Sequence, residues 1–299
     1  MFVLYRQAVA AAHGGKRAGH GICPRRQAPP EVPLGHNAAL MCGLFALVTP
    51  PARLARYFQA VLDDRDEDEP PPSWNVAPTD PVVGIRVRRS KETGTISRVL
   101  TPYRWGLIPS WAKDMTVGNR LFNARAETVA TKASFRSAFA SHRILVPADG
   151  FYEWHKRDDG TRQPYYFTRS DGAPLAFAGI AEWWRDRDAP PDAPGIRSCS
   201  IITTAAGHDM EGIHDRMPVV LSPDTFDIWL DPDNDEIPEL VSLLHAAPDG
   251  TLAHHPVSPR VGNVRNNDAD LVAPVPERTV AAPTLFDTES ETSPPARPA

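Results

Sequence analysis

Short apolar runs bounded by turn residues constrain this chain most. Val82 to Val87, Ile144 to Pro147, Tyr165 to Thr168, Leu175 to Ile180, Cys199 to Thr204 and Pro218 to Leu221 are rich in β-branched and aromatic residues. Each has the length of a strand. Helical spacing is confined to short pieces. Leu54, Tyr57, Phe58, Val61 and Leu62 recur at helical intervals over 52–63. Ser134 to Ala140 reads as a short helix with Ser134 as its cap. Thr225 to Leu230 and Glu236 to His245 read as two more, with Pro238 in the first turn of the second. Many strands with few long helices between them predict an α+β fold: a single domain on antiparallel, partly barrel-like β-sheets flanked by short helices.

The chain has 299 residues and a hydrophobic fraction of 41%, enough for a substantial core, and no internal repeat. No run of eighteen apolar residues occurs, which argues against a transmembrane helix. Arg6 and Gln7 interrupt the apolar stretch of Met1 to Ala12, a poor secretory signal. Residues 1–41 carry Gly14-Gly15, Pro24, Pro29-Pro30 and Pro33 without periodicity, so they read as a disordered leader or a mis-assigned start. Residues 42–275 form the globular segment, and 276–299 read as a disordered tail. Cys23, Cys42 and Cys199 are too few and too scattered for a disulfide framework, so a cytoplasmic location is expected.

The net charge of −5 is not that of a simple nucleic-acid binder. The acid is unevenly spread, however. It gathers in Asp63 to Glu69 and in the tail at Asp287, Glu289 and Glu291. Between Arg98 and Arg143, the bases Arg104, Lys113, Arg120, Arg125, Lys132 and Arg136 outnumber Asp114 and Glu127, which permits a local basic face.

Several stretches set polar groups among aromatic and turn residues. They are Met41-Cys42-Gly43-Leu44-Phe45, Trp74-Asn75-Val76-Ala77-Pro78-Thr79 and Arg104-Trp105-Gly106-Leu107-Ile108-Pro109-Ser110-Trp111. Asn123-Ala124-Arg125-Ala126-Glu127-Thr128, Pro147 to Trp154 and Ile213-His214-Asp215-Arg216-Met217-Pro218 follow. In this order they resemble the SRAP family, the SOS-response-associated peptidase domain. The resemblance runs from 41 to about 272 and ends in Val264-Arg265-Asn266-Asn267-Asp268.

The resemblance implies a protein that crosslinks to ring-opened abasic sites in single-stranded DNA and shields them during the damage response. The nucleophile would be Cys42 as N-terminal residue. A free α-amine has a pKa near 8, so part of it is neutral at pH 7 and attacks an aldehyde to give a Schiff base. The thiol of the same residue then closes onto the imine carbon as a five-membered thiazolidine, favoured by proximity. Translation from Met41 followed by methionine removal, or proteolysis before Cys42, would expose that amine.

The other roles also follow from the resemblance. Glu153 matches the family's catalytic glutamate, flanked by aromatics that raise its pKa. His214 is the second acid–base group, and Asn123 orients the amine or the carbonyl intermediates. Arg125 and Arg216 match phosphate-gripping arginines, with Arg104 and Arg136 as further cations. Trp105, beside Gly106, matches a wedge that stacks on a base, and Asn75 and Pro78 match a loop lining the same groove. Thr203 and Thr204 end a strand placed to line the site. Trp74, Trp111, Trp154, Trp183 and Trp184 are expected in the core. Leu44 stands where the family commonly has Arg.

No cofactor or metal is expected, since His254-His255 lack partners at ligand spacing. The expected partner is abasic single-stranded DNA, with no membrane and no obligate protein partner. Two other readings stay open: a cysteine peptidase using Cys42 and His214 on its own leader, and a noncovalent binder of modified bases.

Overall fold

The computed structural model describes residues 42–62, 70–190 and 192–277. The expected leader, Cys23, Met41, the acidic run from Asp63 and the tail beyond Glu277 lie outside the described residues.

The described elements run β1 (Leu44–Leu47), α1 (Pro51–Tyr57), β2 (Ala60–Leu62), β3 (Ser73–Val76), β4 (Pro81–Arg89), β5 (Ile96–Trp105) and β6 (Asn123–Arg125). Next come α2 (Arg136–Ser141), β7 (Arg143–Ala148), β8 (Gly150–Lys156), β9 (Arg162–Arg169), β10 (Leu175–Trp184) and β11 (Ile196–Ala205). β12 (Arg216–Pro218), α3 (Phe226–Leu230), α4 (Ile237–Ser242) and β13 (Leu252–Pro256) complete the order.

One sheet is antiparallel throughout, in the order β13-β9-β8-β1-β3. The other runs β12-β11-β10-β7-β4-β5-β2, with β6 added alongside β11. A parallel contact between β11 and β5, Ser198 to Arg104 and Cys199 to Trp105, joins β5-β4-β7-β10-β11 into a ring. The expected mixed fold on antiparallel, partly barrel-like sheets with short helices is therefore the fold observed.

Period-two alternation sorts the core. On β10, Leu175, Phe177 and Ala181 point to a cluster with Trp105, Ile144, Val146, Cys199 and Ile201. Phe45, Phe151 and Phe167 of the first sheet pack against that cluster. Ala176, Ala178 and Ile180 point the other way, to a cluster capped by Leu54, Phe58, Phe139, Phe226 and Trp229. β10 is buried on both faces for this reason and reads as a continuous apolar run.

Local departures have local causes. The helix expected over 52–63 stops at Tyr57. Gln59 turns the chain with φ +51, and Ala60–Leu62 pairs in parallel with β5, leaving Val61 and Leu62 half exposed on an edge. Ser134 is not a cap, because α2 starts at Arg136 and has no side-chain cap. Thr225 closes a single turn of tight helix before α3. The last expected strand ends at Pro218, while Val220 keeps one bridge to Phe177. Pro238 does sit in the first turn of α4.

Arg143 ties the helices to the barrel. Its buried guanidinium donates to Phe139 O (2.9 Å) and Ala140 O (2.6 Å) at the end of α2. It also donates to Trp229 O (2.8 Å), Asp231 O (2.6 Å) and Asn234 O (3.0 Å) around the end of α3. Helix ends leave such carbonyls without intrahelical donors. Arg143→Met strands several of them at once and is expected to cost roughly 3 kcal/mol or more in urea unfolding. A loss below about 1 kcal/mol would contradict this role for Arg143.

Candidate active site around Cys42

Cys42 precedes the first strand, and the register of that strand decides what it meets. Leu44 pairs with Tyr152 and Phe45 with Phe151. Glu153 lies one residue beyond this pairing, so its side chain falls beside residue 42. Glu153 Oε1 accepts a 2.7 Å hydrogen bond from the Cys42 nitrogen. That nitrogen belongs here to a peptide bond with residue 41; in a chain beginning at Cys42, the same position is the α-amine. Cys42 has φ +48, a region that a residue with a Cβ enters at a cost. Besides the Glu153 contact, Asn123 Nδ2 holds its carbonyl at 3.3 Å.

β11 brings in the other groups. It pairs with β6 at Ile201–Asn123 and Thr203–Arg125, and with β12 at Ala205–Arg216. Asn123 and the His214–Arg216 segment thus border Cys42 from different parts of the chain. The Cys42 Sγ lies 3.8 Å from the Arg216 carbonyl, a weak S–H donation. His214 Nδ1 accepts from the Arg216 backbone N–H at 3.0 Å. An N–H can only donate, so in the neutral ring the proton sits on Nε2, which lies 4.0 Å from Glu153 Oε2. An Asp215 carboxylate oxygen lies 3.1 Å from the same Nδ1, but that side chain is largely exposed. The fixed backbone donor decides the tautomer.

Glu153 is 1% exposed. Burial pushes its carboxyl up to about 7, partly offset by the His214 charge and by hydrogen bonds from Cys42. Burial, and then Glu153, push the Cys42 thiol well above its ordinary value. The sulfur is therefore a protonated thiol at neutral pH, next to a carboxyl poised to accept or give a proton.

The structure brings Cys42, Asn123, Glu153, His214 and Arg216 together. Arg125 is exposed at the end of β6. Arg136 is exposed on α2, which packs on β7 and β10. Several expected roles need correction. Trp105 is fully buried among Phe45, Phe122 and Cys199, and its Nε1 donates to Phe122 O at 2.8 Å, so no base can stack on it. Arg104 donates to Gly106 O and Asn119 Oδ1, clamping the 106–119 connection. Gly106 (φ +130) leaves no room for a Cβ, which would lie 2.6 Å from Gly118 O.

Asn75 is also interior. Its Nδ2 donates to the carbonyls of Val261, Asn263 and Asn266, fastening the closing 258–268 segment to β3. Pro78 is buried in the 77–80 turn. Trp184 is in the core as expected, and Trp74 and Trp154 are partly buried, but Trp111 and Trp183 are 55% and 54% exposed. Trp111, on the connection after β5, is thus the exposed aromatic there, while Trp105 at the end of β5 is interior. Leu44 packs with Ala46, Tyr152 and Tyr166, and its apolar side chain completes a core cluster. Sequence reasoning gave no role to Glu127, whose carboxylate pairs with Arg216. Its signal was there: an acid two residues after Arg125 in an otherwise basic stretch.

A buried carboxyl near neutral pKa, a cysteine held at its nitrogen and a histidine of fixed tautomer thus lie together, an arrangement able to exchange protons beside a candidate nucleophile. The chain belongs to the SRAP family (SOS response associated peptidase), which residues 41–264 match. It is 38% identical over 238 residues to the abasic site processing protein YoaM of Bacillus subtilis, covering 78% of this chain and 97% of that one. It is 35% identical over 243 residues to the abasic site processing protein HMCES of Rattus norvegicus, covering 70% of this chain and 67% of that one. A crystal structure of a Bacteroides thetaiotaomicron protein superposes with a TM-score of 0.68 at 24% identity, covering 78% of this chain and all of that one, which shows a shared fold. A Bordetella bronchiseptica protein gives 0.60 at 27% identity, over 73% of this chain and all of that one.

Proposed function

We propose that this protein handles abasic sites by covalent capture. With Cys42 as N-terminal residue, its amine attacks the aldehyde of a ring-opened abasic site in single-stranded DNA. Water leaves and an imine forms. The Cys42 S–H then adds across the C=N bond: sulfur bonds carbon, the proton goes to nitrogen, and a thiazolidine closes. Glu153 takes a proton from the α-ammonium and returns one to the departing hydroxyl. His214 relays protons at the same carboxyl, and Asn123 orients the residue through its carbonyl. Arg125 and Arg216 meet phosphates beside the lesion, and Trp111 offers a stacking face.

The observation that carries this reading is the 2.7 Å contact between the Cys42 nitrogen and Glu153. It sets the acid–base group on the atom that attacks first. The names of the relatives favour the same substrate class.

The peptidase reading has one observation in its favour: that carboxyl also touches the nitrogen of the bond before Cys42. Against it, a peptidase sulfur needs to ionise, whereas this thiol is pushed up and the histidine faces Glu153.

The test starts with chains beginning at Met41 and at Met1, each checked by intact mass. Both are incubated with single-stranded DNA carrying one abasic site and run on a denaturing gel. The chain with Cys42 first is expected to give a heat-resistant shifted band, and the chain retaining residues 1–41 none. A band from protein that keeps the leader sinks the proposal, as does no band from correctly processed protein.

A further inference from the structure

Arg216 is already occupied. Its Nη1 pairs with Glu127 Oε1, and its Nη2 lies 3.1 Å from Glu127 Oε2. Nη2 also donates to Thr203 O at 2.7 Å, and Thr203 Oγ1 lies 3.3 Å away. Nε is buried without a hydrogen-bond partner. The side chain is 13% exposed and that of Glu127 51%. A phosphodiester offers a guanidinium the same fork of two oxygens as a carboxylate, so it needs the edge that Glu127 holds. The exposed carboxylate also repels an approaching phosphate.

Capture changes this competition. The Arg216 carbonyl lies 3.8 Å from the Cys42 sulfur. The charge of the Arg216 side chain also acts on the Cys42 thiol, so a strand linked at Cys42 would hold a neighbouring phosphate near that side chain at high effective concentration. A passing undamaged strand has no such tether. We propose that Glu127 is a specificity-determining residue that closes the phosphate-binding edge of Arg216 and selects against undamaged single strands. The inference rests on the reading that Arg216 meets a DNA phosphate. It adds a repulsive element to the attractive one, as discriminating sites commonly do.

The experiment measures binding of the full chain to an undamaged oligothymidylate by fluorescence anisotropy across a salt series. Glu127→Gln is expected to bind at least about threefold tighter at ~0.1 M salt, with a salt slope steeper by about 0.7, one more phosphate neutralised on a single strand. Adding Arg216→Gln to that variant removes the gain. A merely structural Glu127 would instead weaken binding and leave the slope unchanged. Unchanged affinity, an unchanged slope, or a gain that survives Arg216→Gln overturns the proposal. Should Glu127→Gln fail to fold, Glu127→Asp, which draws the carboxylate back from the guanidinium, is expected to shift affinity and slope the same way, and wild-type values from it overturn the proposal too. These are noncovalent affinities, so they are readable whether or not wild type forms the heat-resistant band. A missing band sinks covalent capture, and with it the tether that lets a damaged strand compete, but leaves Glu127 as the group that closes the Arg216 edge; wild-type affinities in the variants sink that closure and leave capture standing.

Discussion

Cys42→Ala is expected to lose the heat-resistant crosslink completely and to keep one that sodium borohydride can trap. The two bonds of the proposed ring come from different atoms of one residue. The first comes from the backbone nitrogen, which alanine retains once methionine is removed. The second comes from sulfur, which alanine lacks. Without it the reaction stops at an imine, which hydrolyses when the protein is heated. Borohydride reduces that imine to an amine that survives heating. The loss of the unreduced band should be at least about 100-fold, since a well-oriented nucleophile on the same residue has an effective molarity of roughly 10⁵ M or more. A heat-resistant band from Cys42→Ala without reductant would show that sulfur is not the second bond. No trapped band in borohydride would show that the amine is not the first. Cys42→Ser falls between them, because its hydroxyl closes a weaker ring.

The strands that sequence patterning found are those with apolar runs: β4, β7, β9, β10 and β11, four of them members of the closed ring. Among the strands it missed are several that border the candidate site or its supports. β8 contains Glu153, β1 follows Cys42, β3 contains Asn75 and β5 ends in Arg104-Trp105. Their polar residues break the alternation that marks a strand because those residues turn toward the site or fasten a loop. Motif resemblance singles out Cys42, Asn123, Glu153 and His214 where periodicity is silent, and the fold brings these four side by side.

Resemblance did less well with the tryptophans. Type and neighbours do not say which face of a strand a ring occupies. Trp105 ends a strand whose partner across the ring is Cys199, so it points into the barrel. Trp111 lies on the irregular connection beyond and points out. Glu127 stands out in sequence as an acid in a basic stretch, but its partner does not, since Arg216 is 89 residues away. Pairing of β6 and β12 with the same strand, β11, brings the two together.

Glu153→Gln tests whether the buried carboxyl is kept for chemistry at a cost in stability. With its folded value raised to about 7 from an ordinary 4.5, the carboxyl is protonated in both states below about pH 4.5, and the native state bears no penalty there. Between that pH and 7 the unfolded chain ionises first, so native stability falls as pH rises. Above 7 the penalty is constant, and a gap of about two and a half pH units is worth about 3 kcal/mol. Glutamine has no charge to bury. The variant should therefore match wild type near pH 4 and exceed it by up to about 3 kcal/mol near pH 8, measured by urea unfolding of the chain with its leader attached. In the chain that begins at Cys42, an α-ammonium replaces the peptide N–H beside the carboxylate. It favours the charged form, so the advantage of glutamine should shrink. Crosslinking should move the other way, falling by about 10²–10⁴, the usual worth of a positioned acid–base group. A variant both less stable at pH 8 and slower would make Glu153 a structural residue. One equally fast would remove it from the reaction.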